Sequence, residues 1–406
     1  MSNLEELIEK LCPDGVEYKT IRDICKKIAS GGTPTASKSE YYNGYIPWLR
    51  TQEVDWKDIL DTEIKITELG YNNSSTKWIP KNCVIVAMYG ATAAKVAINK
   101  IPLTTNQACC NLEIDERIAE YKYVYYWLCK EYINLKSLGQ GSQHNINANI
   151  IKNYKLPVPP LEVQREIVRI LDNFTFLSTE LAAELAARQK QYEYYRDKLL
   201  TPKAEIKTVE LGEVCTFVRG PFGGALKKEI FKPHGYAVYE QQHAIYRTLD
   251  FRYFIDKKKF DELKRFSIKP GDMIVSCSGT IGKTFIIPED ALEGVINQAL
   301  LKLTPHDELN VFYLQYFFEN TISKELNGVA RGGAIKNVPS VSELKAIKIP
   351  VPSLDVQERL VQVLDNFDAI CSDLNIGLPA EIEARQKQYE YYRDKLLTFK
   401  ELKKEA

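Results

Sequence analysis

No run of about eighteen or more apolar residues occurs in this 406-residue chain, so the sequence offers no segment long enough to cross a bilayer as a helix. The amino-terminal stretch Met1 to Lys10 is acidic and helix-like, where a secretory signal would show a basic patch followed by an apolar run; no signal is expected. Cysteine pairs at C-x-x-C spacing are also missing. The nine cysteines are scattered and odd in number, which excludes zinc ribbons and paired redox motifs and predicts a reducing, cytoplasmic setting. Four histidines (His144, His234, His243, His306) stand far apart with no carboxylate or thiol at ligand spacing, so neither a metal nor a cofactor is expected. An excess of either charge is absent too: 54 basic residues balance 54 acidic ones. That balance excludes a surface clinging to phosphates everywhere, but it leaves room for basic groups gathered on one face. Lys227-Lys228, Lys257-Lys258-Lys259 and Lys264-Arg265 are such local clusters, although any one run is more often a solvated face.

Catalytic signatures are lacking as well. Cys277 to Thr284 ends like a phosphate-binding loop, but cysteine stands where the first glycine is required and the cradle would be incomplete. Pro13-Asp14 with Glu17-Tyr18-Lys19 echoes a nuclease motif whose two acids lie too close together for a metal core. The Asn/Asp-Pro-Pro-aromatic hallmark of amino-methyltransferases is missing, because Pro159-Pro160 lies between Val158 and Leu161, and no G-x-G cofactor loop follows a strand. No nucleophile, general base or oxyanion device can be nominated.

What the chain does have is a repeat. Ala187 to Thr201 reads ARQKQYEYYRDKLLT, and Ala384 to Thr398 repeats the same letters. Upstream, KLPVPPLEVQREIVRILDNF (Lys155 to Phe174) matches KIPVPSLDVQERLVQVLDNF (Lys348 to Phe367), with four extra residues between the matching blocks of the second copy. A period of this size means two large modules rather than a solenoid of short ones. In the first copy Val163, Ile167, Ile170, Phe174, Leu177 and Leu181 step by four and three, then Leu185, Tyr192, Tyr195 and Leu199 continue. This is the rhythm of a helix seeking a partner helix. The second copy offers Leu360, Val363, Phe367, Ile370 and Leu374, then Ile382, Tyr389, Tyr392 and Leu396, with Gly377 and Pro379 in the extra segment. Pro379 should break the second helix and sit near the first turn of its continuation. A continuous helix from Leu161 to Leu199 would be about 57 Å long. Two copies of one seam can pair antiparallel, which predicts two globular bodies joined by a helical stalk; the plainer alternative is that each helix packs only on its own body.

The regions preceding the helices are fainter cousins. VIVAMYGATAAKVAI (Val84 to Ile98) parallels MIVSCSGTIGKTFII (Met273 to Ile287), and Asn106-Gln107-Ala108 parallels Asn297-Gln298-Ala299. Each reads as strand, glycine-bearing turn, strand, and a further strand entered through Asn-Gln. Ile21 to Cys25 and Leu211 to Cys215 each lead to a glycine-rich loop, at Gly31-Gly32-Thr33-Pro34 and at Gly220 to Gly224. Helical stretches are expected at Tyr121 to Tyr132 and Val311 to Phe318, each followed by a polar loop, Gly139 to Asn147 or Gly328 to Asn337. The copies diverge most between these landmarks, and loops on a rigid frame are where recognition usually resides.

In the order of these landmarks, taken twice and over essentially its whole length, the sequence resembles the specificity subunits of type I restriction-modification enzymes. The residues that carry the resemblance are GGTP with YYNGYIPWL (Tyr41 to Leu49), SGTIGK (Ser278 to Lys283), the NQA tripeptides, PVPPLEVQREIV and the doubled ARQKQYEYYRDKLL. The resemblance implies α/β (α+β) target-recognition domains at 1–157 and 202–350, pseudo-repeated and joined by an antiparallel two-helix coiled coil from 158–201 and 351–406. It further implies a non-catalytic subunit that reads a bipartite double-stranded DNA site. Two methyltransferase subunits and restriction subunits would be its partners, with no membrane involved.

Base edges are read by Arg or Lys on guanine and by Asn or Gln on adenine, with Ser and Thr adaptable. The candidates are therefore Lys38, Arg50, Gln52, Tyr89, Thr92, Gln143 and His144 in the first module. In the second they are Lys227, Lys228, Gln241, Gln242, His243, Ser278, Thr280, Lys283 and Arg331. For any one of them a solvated surface position is the plainer reading. Tyr41, Tyr42 and Trp48 could line DNA, but aromatics at this density more often form core. The shared Asn-Gln pairs should brace a turn or a phosphate contact rather than specify sequence. Two rival classes are compatible with the letters: a coiled-coil scaffold with no nucleic-acid role, and a solitary DNA methyltransferase, which the missing motifs disfavour.

Overall fold

The computed structural model describes residues 3–139, 145–201, 205–278, 280–328 and 340–402. The chain divides into two compact units, one made of Met1–Ala182 with Glu381–Ala406 and the other of Ala183–Ala380.

In the first unit, Val84–Ala87 and Val96–Asn99 are buried at every position, which is why Val84–Ala87 and Val96–Ile98 read as continuous apolar runs and not as alternating ones. Their sheet runs in the order Cys25–Ser30, Cys109–Ile114, Val84–Ala87, Val96–Asn99, Asp58–Ile59, antiparallel except at the last pair. The two-residue period splits the run between two cores. Val84 and Val86 face the core that receives the long helix, whereas Ile85 and Ala87 face a smaller one with Leu49, Leu103 and Cys109. A second sheet places Tyr42–Leu49 parallel to Leu103–Thr105. A short antiparallel pair, Tyr18–Thr20 with Lys155–Pro157, closes the base of the unit just before the long helix.

The second unit repeats this plan. Its main sheet runs Cys215–Arg219, Leu300–Pro305, Met273–Ser276, Thr284–Ile286, and Tyr236–Tyr239 lies parallel to Gly294–Ile296. Met273 and Val275 enter one core while Ile274 enters the other. Thr208–Glu210 pairs with Lys348–Pro350 at the base. Each strand–turn–strand unit read from sequence is present. The helical stretches are bounded differently. Tyr121–Lys130 ends before a separate helix, Tyr132–Ser137, and the second module's helix extends over Val311–Gly328.

The doubled sequence block forms helices. Leu161–Leu200 is one unbroken helix of 40 residues, about 60 Å at 1.5 Å per residue, running from the first unit into the second. Its counterpart is broken as the proline predicts, into Leu354–Ser372 and Leu378–Leu396, with Pro379 in the first turn of the restart. Within the first unit, Phe174 stacks on Tyr392 with ring centroids 5.4 Å apart. Within the second, Phe367 stacks on Tyr192 at 6.1 Å and on Tyr195 at 5.9 Å. Phe174 corresponds to Phe367 and Tyr392 to Tyr195, so each unit builds the same antiparallel contact from opposite copies of the repeat. The predicted seam needs correction in its detail. Val361, Leu364 and Cys371 are buried rather than Val363 and Ile370, and Leu374 is 73% exposed because the helix has already ended at Ser372. The cause is that each helix serves two neighbours. One face, including Gln164, Val168 and Leu171 or Gln357, Val361 and Leu364, is buried in its module, and an adjacent stripe meets the other helix.

Candidate nucleic-acid interface

Both modules gather two polar turns at the same end of the scaffold. In the first module the strand Tyr42–Leu49 runs into a single helical turn, Thr51–Glu53. The turn Gly90–Thr92 lies beside it, and the Thr92 hydroxyl donates to the Thr51 carbonyl at 2.8 Å. The Gly90 amide donates to Asn145 Oδ1 at 3.1 Å, tying in the end of the polar loop. This brings Arg50, Gln52, Tyr89 and Thr92 together. Gln52 and Tyr89 are exposed, whereas Arg50 is half-buried and pairs with Glu63 at 3.2 Å. Lys38 is not part of this group; it lies before the same strand, with its ammonium 3.2 Å from the Tyr41 hydroxyl.

In the second module the strand Tyr236–Tyr239 leads into helix Gln241–Tyr246. Ser278 donates its hydroxyl to Gln241 Oε1 at 2.8 Å, and the Gln241 amide donates back to the Ser278 carbonyl. Ser276 shapes the turn by donating to the Thr280 carbonyl at 2.6 Å and accepting the Lys283 amide at 3.0 Å. Gln241, Ser278, Thr280 and Lys283 therefore share one edge, the last three exposed. Gln242 donates to the Asp250 carbonyl at 3.2 Å. Lys227 and Lys228 are exposed beside a separate short turn, Lys228–Ile230.

His243 must be withdrawn as a base contact, since it is fully buried. Its Nδ1 accepts the Glu240 amide at 2.8 Å, and its ring stacks on Phe251 with centroids 4.8 Å apart. Burial holds the imidazole below its ordinary value of 6.5, as a neutral ring. In the first module Glu53 occupies the same place and accepts the Arg50 amide at 3.2 Å. Glu53 and His243 are therefore caps that hold their turns in shape. Tyr41 and Trp48 are core residues, and Tyr42 is half-buried. Gln143, His144 and Arg331 lie outside the described residues. The lysine runs Lys257–Lys259 and Lys264 are largely engaged with Asp261, Glu262 and Glu293 in surface ion pairs.

The shared Asn-Gln pairs brace turns. Asn106 Oδ1 accepts the Ala108 amide at 3.2 Å, and Asn297 Oδ1 accepts the Ala299 amide at 3.0 Å. The two asparagine amides donate to Leu49 and Tyr239, the last residues of the parallel strands, each at 2.9 Å. A glycine from the glycine-rich loop packs onto each brace. A Cβ on Gly31 would lie 1.8 Å from the Thr105 carbonyl oxygen, and one on Gly220 would lie 1.8 Å from that of Asn297, so no larger residue fits.

Sequence reasoning missed a set of duplicated latches between module and helix. Gln164 is fully buried, donates to Pro159 and Ile118 carbonyls and accepts the Glu120 amide; Gln357 does the same with Pro352, Glu308 and Asn310. Tyr126 donates to Asp172 at 2.7 Å, and Tyr316 donates to Asp365 at 2.6 Å. Tyr123 and Tyr313 donate to the carbonyls of Pro157 and Pro350. The signal was present in the shared V-Q and L-D-N-F letters of the repeat, which helix periodicity alone does not explain.

Burial pushes the thiols of Cys25, Cys83, Cys110 and Cys215 up to about 12, far from the thiolate a nucleophile needs. Among the described residues no group of three or more His, Cys, Asp or Glu side chains is placed to hold a metal, and no helix is long and apolar enough to cross a membrane.

One scaffold is built twice, with different letters on equivalent turns. The model of the type I restriction modification DNA specificity domain matches the chain at residues 13–188 and again at 203–384. The EcoR124I/EcoR124II specificity subunit of Escherichia coli is 35% identical over 301 residues, spanning 70% of this chain and 72% of that protein. A putative type I restriction enzyme specificity subunit of Haemophilus influenzae is 37% identical over 265 residues, 61% of this chain and 65% of its own length. Among solved structures, a chain of a type I R-M system aligns with a TM-score of 0.65 at 19% identity, covering 95% of this chain and 98% of that one. The HsdS subunit from Thermoanaerobacter tengcongensis aligns with a TM-score of 0.57 at 19% identity, over 95% and 97% of the two chains. The chain belongs to the type I restriction-modification DNA specificity family and carries that family's domain twice. Its role is sequence specificity, not the chemistry of the complex.

Proposed function

We propose that each module reads one half of a bipartite site in double-stranded DNA through the paired turns at its scaffold edge. Arg50, Gln52, Tyr89 and Thr92, with Lys38 nearby, serve the first half-site. Gln241, Gln242, Ser278, Thr280 and Lys283, with Lys227 and Lys228, serve the second. The observation that carries this reading is the pair of equivalent edges: identical bracing by Asn106 and Asn297 holds turns whose exposed letters differ. Fixed bracing with variable letters suits two readouts of different sequence. The doubled helices dock two methyltransferase subunits, restriction subunits join the assembly, and the complex works in the cytoplasm.

Methylome mapping in cells with and without the gene tests the proposal. A split motif of methylated adenines should vanish when the gene is removed. An unchanged methylome in cells that carry the intact partner genes would overturn it.

A further inference from the structure

Phe222 is 94% exposed, more than any other large apolar residue among the described ones, and fold stability gives no reason for it to be there. Its loop is nevertheless firmly set. The Gly220 amide donates to the Leu300 carbonyl at 2.9 Å, Gly220 presses against the Asn297 carbonyl where only a glycine fits, and Pro221 is buried. Beyond the ring, the Ala225 amide closes a tight turn on the Phe222 carbonyl at 2.8 Å. The loop's footing is also the footing of the reading edge, because Asn297 bonds Tyr239, two residues before Gln241. Arg219, Lys227 and Lys228 flank the loop, are exposed, and form no ion pair with another described residue. An apolar ring held out on a rigid loop, between free cations and beside base-reading groups, matches the side chains that enter DNA and part a base step.

We propose that Phe222 is a stacking wedge: it unstacks one base step at the border of the half-site read by the second module, while the neighbouring cations hold the adjoining phosphates. This rests on the DNA-reading function proposed above. The loop in the equivalent place of the first module carries no such ring. It presents Thr33, whose hydroxyl is tied to Gln107, so only one half-site is distorted.

The test uses the assembled complex and duplexes carrying the mapped site, with 2-aminopurine placed stepwise through both half-sites. Wild type should give a fluorescence rise at one position bordering the second half-site and none in the first. Phe222→Ala should abolish that rise and weaken specific binding roughly tenfold, as loss of one base–aromatic stack does, while Phe222→Trp keeps both. Because Phe222 touches so little, the alanine variant should melt as wild type does. Wild-type specific binding without a localised rise, or a Phe222→Ala complex that binds and fluoresces like wild type, overturns the wedge and leaves the functional reading intact. A Phe222→Ala subunit that fails to assemble with its partners assigns the ring to protein docking and likewise overturns it. Absence of specific binding by the wild-type complex defeats the functional reading, and the wedge falls with it.

Discussion

Single side chains decide whether each proposed reading edge keeps its shape. His243 caps its own helix, Gln241–Tyr246, as a neutral ring, and burial keeps its proton affinity below that of the unfolded chain. As pH falls below about 6.5 the unfolded chain takes up this proton first, so stability is full above that value and declines until the folded imidazole also titrates. The thermal midpoint of the second unit should therefore drop between pH 7.5 and 5.5 more than that of the first. In a pH series of calorimetric scans His243→Gln should flatten the difference; an unaltered slope would assign the effect to other groups. Gln164 and Gln357 each satisfy three backbone groups in a buried position. Either alanine substitution should cost roughly 2 to 4 kcal/mol in denaturant unfolding, because the stranded backbone groups lose partners that water cannot replace.

The long helix is an element with two obligations, and its energetics divide accordingly. Toward the module it buries apolar residues with the tyrosine–aspartate and glutamine latches; toward the other helix it offers stacked rings. A double-mutant cycle on Phe174 and Tyr392 should give a coupling of about 0.5 to 1.5 kcal/mol, and one on Phe367 and Tyr195 a similar value. Coupling near zero at both pairs would mean that the rings meet without contributing to stability. The predicted pattern of helix contacts was legible only in part. Its period is visible in the letters, yet Val363 and Leu374, which that period places on the seam, are both exposed. A heptad pattern locates an apolar stripe, but it cannot say whether a helix or a domain surface covers that stripe.

For the molecule as a whole, a continuous helix of 40 residues belongs to both units. If its length sets the gap between half-sites, four residues inserted near its middle, about one turn or 6 Å, should lengthen the unread gap by roughly two base pairs. Mapping the methylated motif of the insertion variant measures this directly, and an unchanged gap would sink the idea. DNA affinity should also fall steeply with salt despite the zero net charge. Contacts to about six phosphates would lose roughly 10³-fold between 50 and 200 mM. A flat salt profile in a titration by fluorescence anisotropy would instead favour a scaffold with no nucleic-acid role.

The doubled helix block, the Pro379 break, the strand pairs around each glycine-bearing turn and the turn-bracing asparagines were all readable from the letters, because each depends on local periodicity or on backbone chemistry close in sequence. The structure alone decided that Glu53 and His243 are equivalent caps, that Gln164 and Gln357 latch helix to module, and that Phe174 meets Tyr392 as Phe367 meets Tyr195. Those facts join residues far apart in the chain, and only the folded backbone determines which side of a strand or helix is covered and by what.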